Sequence, residues 1–230
     1  MKRILAVITA RGGSKRIPRK NIKPFLGQPM IKYAIDAALE SKIFHTVMVS
    51  TDDQEIIQLA KQYGADVPFI RSKETSSDFA TTLDVLLEVV NQYKLMGINF
   101  DSLCCIYPCV PFLKGSTLLS AYQIFVKNDI DVLIPVVKFS YPIQRAFRIN
   151  NNGLLEYINP EYINTRSQDL EPMYHDVGMF YFYKISSLLN DNKQIKYFEM
   201  KESEIQDIDT KDDWHYAEIK YSILQKQGFI

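Results

Sequence analysis

Apolar positions change their spacing several times along the chain, and each spacing names an element. Residues 3–10 read as one strand: Ile4 to Ile8 are apolar without a break, as in a parallel strand buried on both faces. Pro29 suits the first turn of a helix, and Ile31, Ala34, Ile35 and Ala38 recur behind it at helical spacing. Residues 46–50 predict a short strand, and residues 54–63 a helix with Gly64 as its C-terminal cap. Val85, Leu86, Val89, Val90 and Tyr93 predict a helix over 82–96. A strand over 103–107 is stopped by Pro108, and a helix over 116–126 and a strand over 131–137 follow. This alternation predicts an α/β sandwich around a mostly parallel sheet.

The rhythm then breaks. Residues 139–169 are polar, rich in Asn, Tyr and Arg, and poorly periodic, which marks a functional insertion without strong structure of its own. The core resumes with an aromatic strand over 177–183, a late strand over 193–201 and a closing helix over 211–225. Residues 1–138 and 170–230 therefore form one core, and 139–169 an arm rather than a separately folding domain. The chain shows no internal repeat and no Gly/Ser-rich linker.

Composition narrows the partners. With 230 residues and 47% hydrophobic content, the chain can bury a real core. Lysine plus arginine equals aspartate plus glutamate at 27 each, so no global basic field draws it onto nucleic acid or anionic membrane. Any polyanion site must be local. Met1-Lys2-Arg3 ahead of the apolar run looks briefly like a signal peptide, but the run is too short and Arg11 ends it. No stretch approaches the roughly 20 apolar residues of a membrane span. Cys104, Cys105 and Cys109 are odd in number and contain no CxxC pair, which reads as buried reduced thiols in a cytoplasmic protein.

The sharpest chemical signal follows the first strand. Ala10-Arg11-Gly12-Gly13-Ser14 and Lys15-Arg16-Ile17-Pro18-Arg19-Lys20-Asn21 place a glycine pair and five cations where open α/β sheets bind ligands, beyond the carboxyl ends of strands. Glycine lets the backbone approach an anion and turn its N–H groups toward it. A triphosphate matches this charge. The loop is neither a Walker A motif nor a GxGxxG loop. Far downstream, Asp207-Ile208-Asp209-Thr210 supplies hard oxygen ligands suited to Mg²⁺, with Mn²⁺ as an alternative, or else simply caps the closing helix. Asp212 and Asp213 read as first-turn helix charges.

Residues 10–21 resemble the signature of the CMP-sialic acid synthetase family of cytidylyltransferases. Ordered matches follow at Ser50-Thr51-Asp52-Asp53, at Arg71 and the loop from Asp78 to Thr82, at the turn from Pro108 to Pro111, at Arg166 to Leu170, at Tyr174 to Tyr181 and at Asp207-Ile208-Asp209-Thr210. Departures point to one branch. Tyr107 replaces the usual Gln before the proline turn, and His175-Asp176-Val177-Gly178 replaces Arg-Glu-Asn-Gly. Cys104-Cys105-Ile106-Tyr107-Pro108 and the strings around Ser140 and Asn164 are similar to the branch that acts on pseudaminic acid. Cys109 stands in place of the more usual Thr.

The resemblance implies a Rossmann-like three-layer sandwich of the nucleotide-diphospho-sugar transferase type. It implies joining CMP from CTP to an acidic nine-carbon sugar: pseudaminic acid first, sialic or legionaminic acid as alternatives. Arg11 and Lys20 are implied to hold the triphosphate and, with Asp209, to form the catalytic set. Ala10, Gly12, Gly13, Ser14 and Asn21 complete the cradle; Arg71, Asp78 and Thr82 bind the nucleotide; Asp207 and Asp209 take the metal. For the sugar, Arg166 suits the carboxylate because its planar fork fits one, with Tyr107, Gln168, Tyr174, His175 and Asp176 around it. Residues 139–169 match an arm that exchanges contacts in a C2 homodimer, with Arg148 or Lys138 reaching the partner's site. Two other classes remain to be separated: a nucleotide-sugar-dependent glycosyltransferase, and a nucleotide-binding module without catalysis.

Overall fold

The doubly buried reading of the first strand holds: Ile4 through Ile8 are all fully buried. In the computed structural model, which describes residues 3–229, this strand, β1 (Ile4–Thr9), lies inside the sheet with a parallel neighbour on each side. Met1 and Lys2, which opened the signal-like start, lie outside the described residues. A two-stranded ribbon, β2 (Pro24–Phe25) and β3 (Gln28–Pro29), follows the cationic loop. It puts Pro29 at the N-cap of α1 (Met30–Ser41) rather than in its first turn. Next come β4 (Thr46–Ser50), α2 (Gln54–Gln62), the single turn α3 (Lys73–Ser76) and α4 (Thr82–Leu95). Gly64 takes φ +89 just beyond α2, the left-handed geometry a helix end favours. Strand β5 (Ser102–Ile106), helix α5 (Gly115–Lys127) and strand β6 (Val132–Lys138) complete the regular alternation.

The insertion is more ordered than its composition predicts. It carries an antiparallel hairpin, β7 (Phe147–Ile149) with β8 (Leu155–Tyr157), and three short 3₁₀ turns. The aromatic strand also divides in two. β9 (Tyr174–Asp176) pairs antiparallel with the end of β6. Gly178 at φ +68 then turns the chain into β10 (Phe180–Lys184), which begins three residues later than expected. Last come β11 (Ile195–Glu199) and α6 (Lys211–Lys226).

The sheet order is β11-β6-β10-β5-β1-β4, with β9 added beside β6. β4, β1, β5, β6 and β11 run one way, and β9 and β10 run against them. The sheet is thus mostly parallel, with β10 wedged between β5 and β6.

Strand alternation assigns the core to two faces. Ile4, Ala6, Ile8, Cys104, Phe180 and Phe182 join α1, α2, α5 and α6 on one side. Leu5, Val7, Leu103, Cys105 and Tyr181 join α4 on the other. The result is a three-layer sandwich. Gly115 lets α5 sit against α1, since a Cβ there would lie 2.7 Å from the Ser41 backbone N. Phe25, Tyr33, Trp214 and Tyr221 meet edge to face and dock α6 onto α1 and the ribbon.

Helix α2 starts on an acidic cap. Asp53 accepts from the backbone N–H groups of Glu55 and Ile56 and pairs with Arg19. The hydrogen bond from Arg19, then those N–H groups, hold its carboxyl below the usual range against the opposing effect of burial. Asp53→Ala is expected to lower the unfolding free energy by about 1 kcal/mol in urea titrations at pH 7. A carboxyl depressed by folding contributes fully above its unfolded pKa, about 3.9. That contribution fades as acid protonates the folded form, so variant and wild type should converge there.

Candidate active site

The chain runs from β1 to β4 on one side of it and later to β5 on the other, so the loop after β1 sits at a topological switch point. Ala10 is buried and bonds its N–H to Ser50 O at 3.0 Å. Gly12 donates its N–H to Asp52 Oδ1 at 3.1 Å. A Cβ on Gly12 would lie 2.7 Å from Asp53 Oδ2, so a larger residue here would push the Asp53 carboxylate aside. Gly13 faces open space. Ser14 N–H bonds to Gly12 O at 3.1 Å and closes the turn. Asn21 is buried, and its Nδ2 donates to Arg11 O at 2.9 Å, fixing the start of the loop from its end.

Each of the five loop cations meets a carboxylate from another segment. Arg11 Nη1 lies 2.9 Å from Asp78 Oδ1, and Lys15 pairs with the same group. Lys15, then Arg11, hold the Asp78 carboxyl below its ordinary range. Arg19 pairs with Asp53 and Glu55. Arg16 Nη1 lies 2.8 Å from Asp209 Oδ2, and Lys20 Nζ lies 3.4 Å from Asp209 Oδ1 and 2.8 Å from Ile208 O. Lys20 and Asp209, 189 positions apart, are thus in contact.

Asp207 and Asp209 both line the cleft beside Lys20, with Ile208 buried between them. Helix capping does not consume Asp209: Thr210 caps α6 and forms a capping box with Asp213. Among the described residues no cluster of three or more His, Cys, Asp or Glu side chains forms an all-protein metal cage.

The cleft extends from Lys20 and Asn21 past Tyr107 to His175, Asp176, Lys138 and Glu202, with a volume of about 700 Å³. That is within the usual range for small-molecule sites. Tyr107 stacks edge-on to Tyr181 at 5.6 Å, and its hydroxyl meets Thr82 Oγ1 at 3.2 Å. Asp176 takes the Tyr181 hydroxyl at 2.8 and 2.9 Å on its two oxygens, and the Gly178 N–H at 2.8 Å. Burial, reinforced by Asp176, pushes the Tyr181 phenol far up, so it remains a donor. His175 Nδ1 lies 3.0 Å from Asp176 O, and its ring packs on Phe139.

Other residues named from sequence fall outside the cleft. Arg71 is buried below the loop, with Nε on Ser50 Oγ at 2.9 Å and Nη2 on Ser50 O at 2.6 Å. Burial lowers its pKa to about 10. Arg166 is exposed and occupied by Asp169 at 2.7 Å; Gln168 is exposed beside it; Tyr174 stacks on Tyr197. A single chain therefore does not bring Arg166, Gln168 or Tyr174 to the sugar half. Lys138 does line that half within its own chain, whereas Arg148 is spent on Glu156 across the hairpin. Ser140, Glu202 and Lys220 also line the cleft. From sequence Lys138 was expected only to reach a partner's site; β6 runs one residue further than expected and ends on it at the ligand edge of the sheet. Lys220 gave no signal, because it projects from the middle of α6.

A family profile described as Cytidylyltransferase matches residues 5–221. The chain belongs to the cytidylyltransferase family. It is 40% identical over 229 residues to a pseudaminic acid cytidylyltransferase of Campylobacter jejuni subsp. jejuni, covering 98% of this chain and 99% of that one. It is 34% identical to a CMP-N,N'-diacetyllegionaminic acid synthase of Legionella pneumophila subsp. pneumophila, covering 94% and 95%. A solved CMP:2-keto-3-deoxy-manno-octonic acid synthetase shares the fold at a TM-score of 0.70 and 19% identity, over 97% of this chain and 99% of that one.

Cys109 lines the cleft next to Pro108. Burial pushes its thiol, and that of Cys105, up to about 12, and raises Cys104 as well. At pH 8 all three should stay protonated, and iodoacetamide should label the native protein at least ~10²-fold more slowly than a free thiol. Denaturation should expose three reactive groups by mass spectrometry.

Proposed function

We propose that this chain transfers the CMP group of CTP to pseudaminic acid and releases pyrophosphate. The observation that carries the reading is Lys20 against Asp209 at one end of a cleft whose other end holds Tyr107, His175 and Asp176. Cations for a triphosphate and carboxylates for a cation thus share one entrance, with room for a sugar behind them. The family and the 40% identical relative support CTP and pseudaminic acid as the substrates.

The anomeric oxygen of the sugar attacks the α-phosphorus; an O–P bond forms there, the bond to the β-phosphate oxygen breaks, and the hydroxyl proton goes to solvent. Such chemistry depends on positioning and charge stabilisation. Lys20 and Arg11 hold the phosphates and the charge growing on the leaving pyrophosphate, and the N–H groups around Gly12 and Gly13 line the approach. Asn21 keeps Arg11 in place through its carbonyl. Arg71 supports the nucleotide segment from beneath by gripping Ser50.

Asp207 and Asp209, hard oxygen ligands facing the cleft beside Lys20, would hold Mg²⁺, and Mn²⁺ would suit the same ligands. When bound, the ion neutralises phosphate charge. Arg16 and Lys20, which pair with Asp209 here, would then be available to the nucleotide's phosphates.

The arm over 139–169 exposes Phe147, Ile149, Leu154, Leu155 and Ile158, an apolar surface that suits a C2 homodimer. In that dimer Arg166 serves the partner's sugar site. The reading places the enzyme in the cytoplasm, with its three thiols reduced. No helix among the described residues is long and apolar enough to cross a membrane.

The test presents CTP and Mg²⁺ with pseudaminic, legionaminic and sialic acids separately and follows pyrophosphate. Pseudaminic acid should react much the fastest; equal or faster turnover of sialic acid rejects the branch, and no pyrophosphate with any acid rejects the reaction. Lys20→Met and Asp209→Ala should each lower kcat/KM by about 10²–10³, and chelation by EDTA should stop wild-type turnover.

A further inference from the structure

The acidic sugar of the proposed reaction carries a carboxylate, and the cleft must offer it a cation as water leaves. Among the described residues no arginine lines the sugar end of the cleft; the basic side chains along it are Lys20, Lys138, Lys220 and His175. Three of these four are engaged. Lys20 lies at the nucleotide end on Ile208 O and Asp209. Lys220 donates to Glu202 O at 2.8 Å and Ile205 O at 2.5 Å, with its ammonium 5.5 Å from the Phe112 ring centre. It therefore braces the segment that leads to Asp207. His175 is held through Asp176 O and Phe139.

Lys138 differs. Among the described residues its ammonium has no hydrogen-bond or ion-pair partner. It is the last residue of β6, at the sheet edge where this fold collects ligands. It pairs across the ladder with Tyr174, two positions along from the Val136–Asp176 pair, so Lys138 and Asp176 lie on one face. The nearby anions are already satisfied by neutral donors: Asp176 by Tyr181 and Gly178, and Glu202 by Ser140 Oγ at 2.8 Å. Lys138 is thus, among the described residues, the cation in the sugar half of the cleft whose donors are not already engaged.

We infer that Lys138 binds the carboxylate of the acidic sugar, in the same subunit that binds the nucleotide. The inference rests on the reaction proposed above. It assigns carboxylate recognition to a residue acting within one chain, and leaves Arg166, on its own exposed turn, a secondary part.

The experiment compares pseudaminic acid with its carboxamide, at saturating CTP and Mg²⁺, for wild type, Lys138→Met, Lys138→Arg and Arg166→Met. Lys138→Met should raise KM for the acid about 10–100-fold, the loss typical of a hydrogen bond to a charged group. KM for CTP should stay within about twofold. The carboxamide should be used equally well by wild type and Lys138→Met, so the preference for the acid collapses, while Lys138→Arg keeps most of it. A fault of folding cannot erase that preference selectively, and Lys138 is exposed, so its replacement spares the core. An unchanged acid preference in Lys138→Met, or its collapse in Arg166→Met alone, overturns the assignment while the reaction stands. Wild type that releases no pyrophosphate with any acidic sugar overturns the reaction, and this assignment with it.

Discussion

Asp209 against Lys20 and Arg16 is the contact on which the rest of the site depends. Five cations in ten residues repel one another, and the loop keeps its shape because three other segments bring carboxylates to it. Asp53 comes from the start of α2, Asp78 from the turn before α4, and Asp209 from the approach to α6. These pairs are largely exposed, and exposed pairs contribute up to about 1 kcal/mol each. They order the loop without locking it.

The sheet supplies the rigid side of that arrangement. β1 is buried on both faces, so the point where the loop begins is fixed by core packing rather than by surface charge. The antiparallel strand β10 does a different task. Inserted between β5 and β6, it separates the Tyr107 end of one strand from the Lys138 end of the other, and the cleft occupies that gap. Tyr181 on β10 donates to Asp176 and packs edge-on against Tyr107, tying both walls together. Burial at the sheet centre and polar orientation in the cleft are thus two faces of one strand.

Much of this was legible before any coordinates. The core helices and parallel strands appeared within a few residues of their observed ends, because burial imposes periods of two or 3.6 that composition cannot disguise. The cationic loop was legible because its glycines directly follow a strand. Less was legible after residue 138. The hairpin β7–β8 escaped notice because each strand is only three residues long, too short for its apolar–polar alternation to stand out. The break between β9 and β10 escaped notice because Val177 continues the apolar run, while the turn depends on the backbone of Gly178. Arg71 looked like a ligand-facing cation, yet Ser50 holds it below the surface.

The sequence by itself determined the α/β layering and the place of the glycine-rich cationic loop directly after the first strand. Those follow from local periodicity and from strand-end geometry, which neighbouring residues carry. Only the tertiary structure decided which charges meet. Lys20 reaches Asp209 across nearly the whole chain, Arg166 turns to Asp169 three residues away, and Lys138 lines the cleft with no ion-pair partner among the described residues. Charge pairing depends on distances of a few ångströms between segments far apart in sequence, and such distances are set by packing.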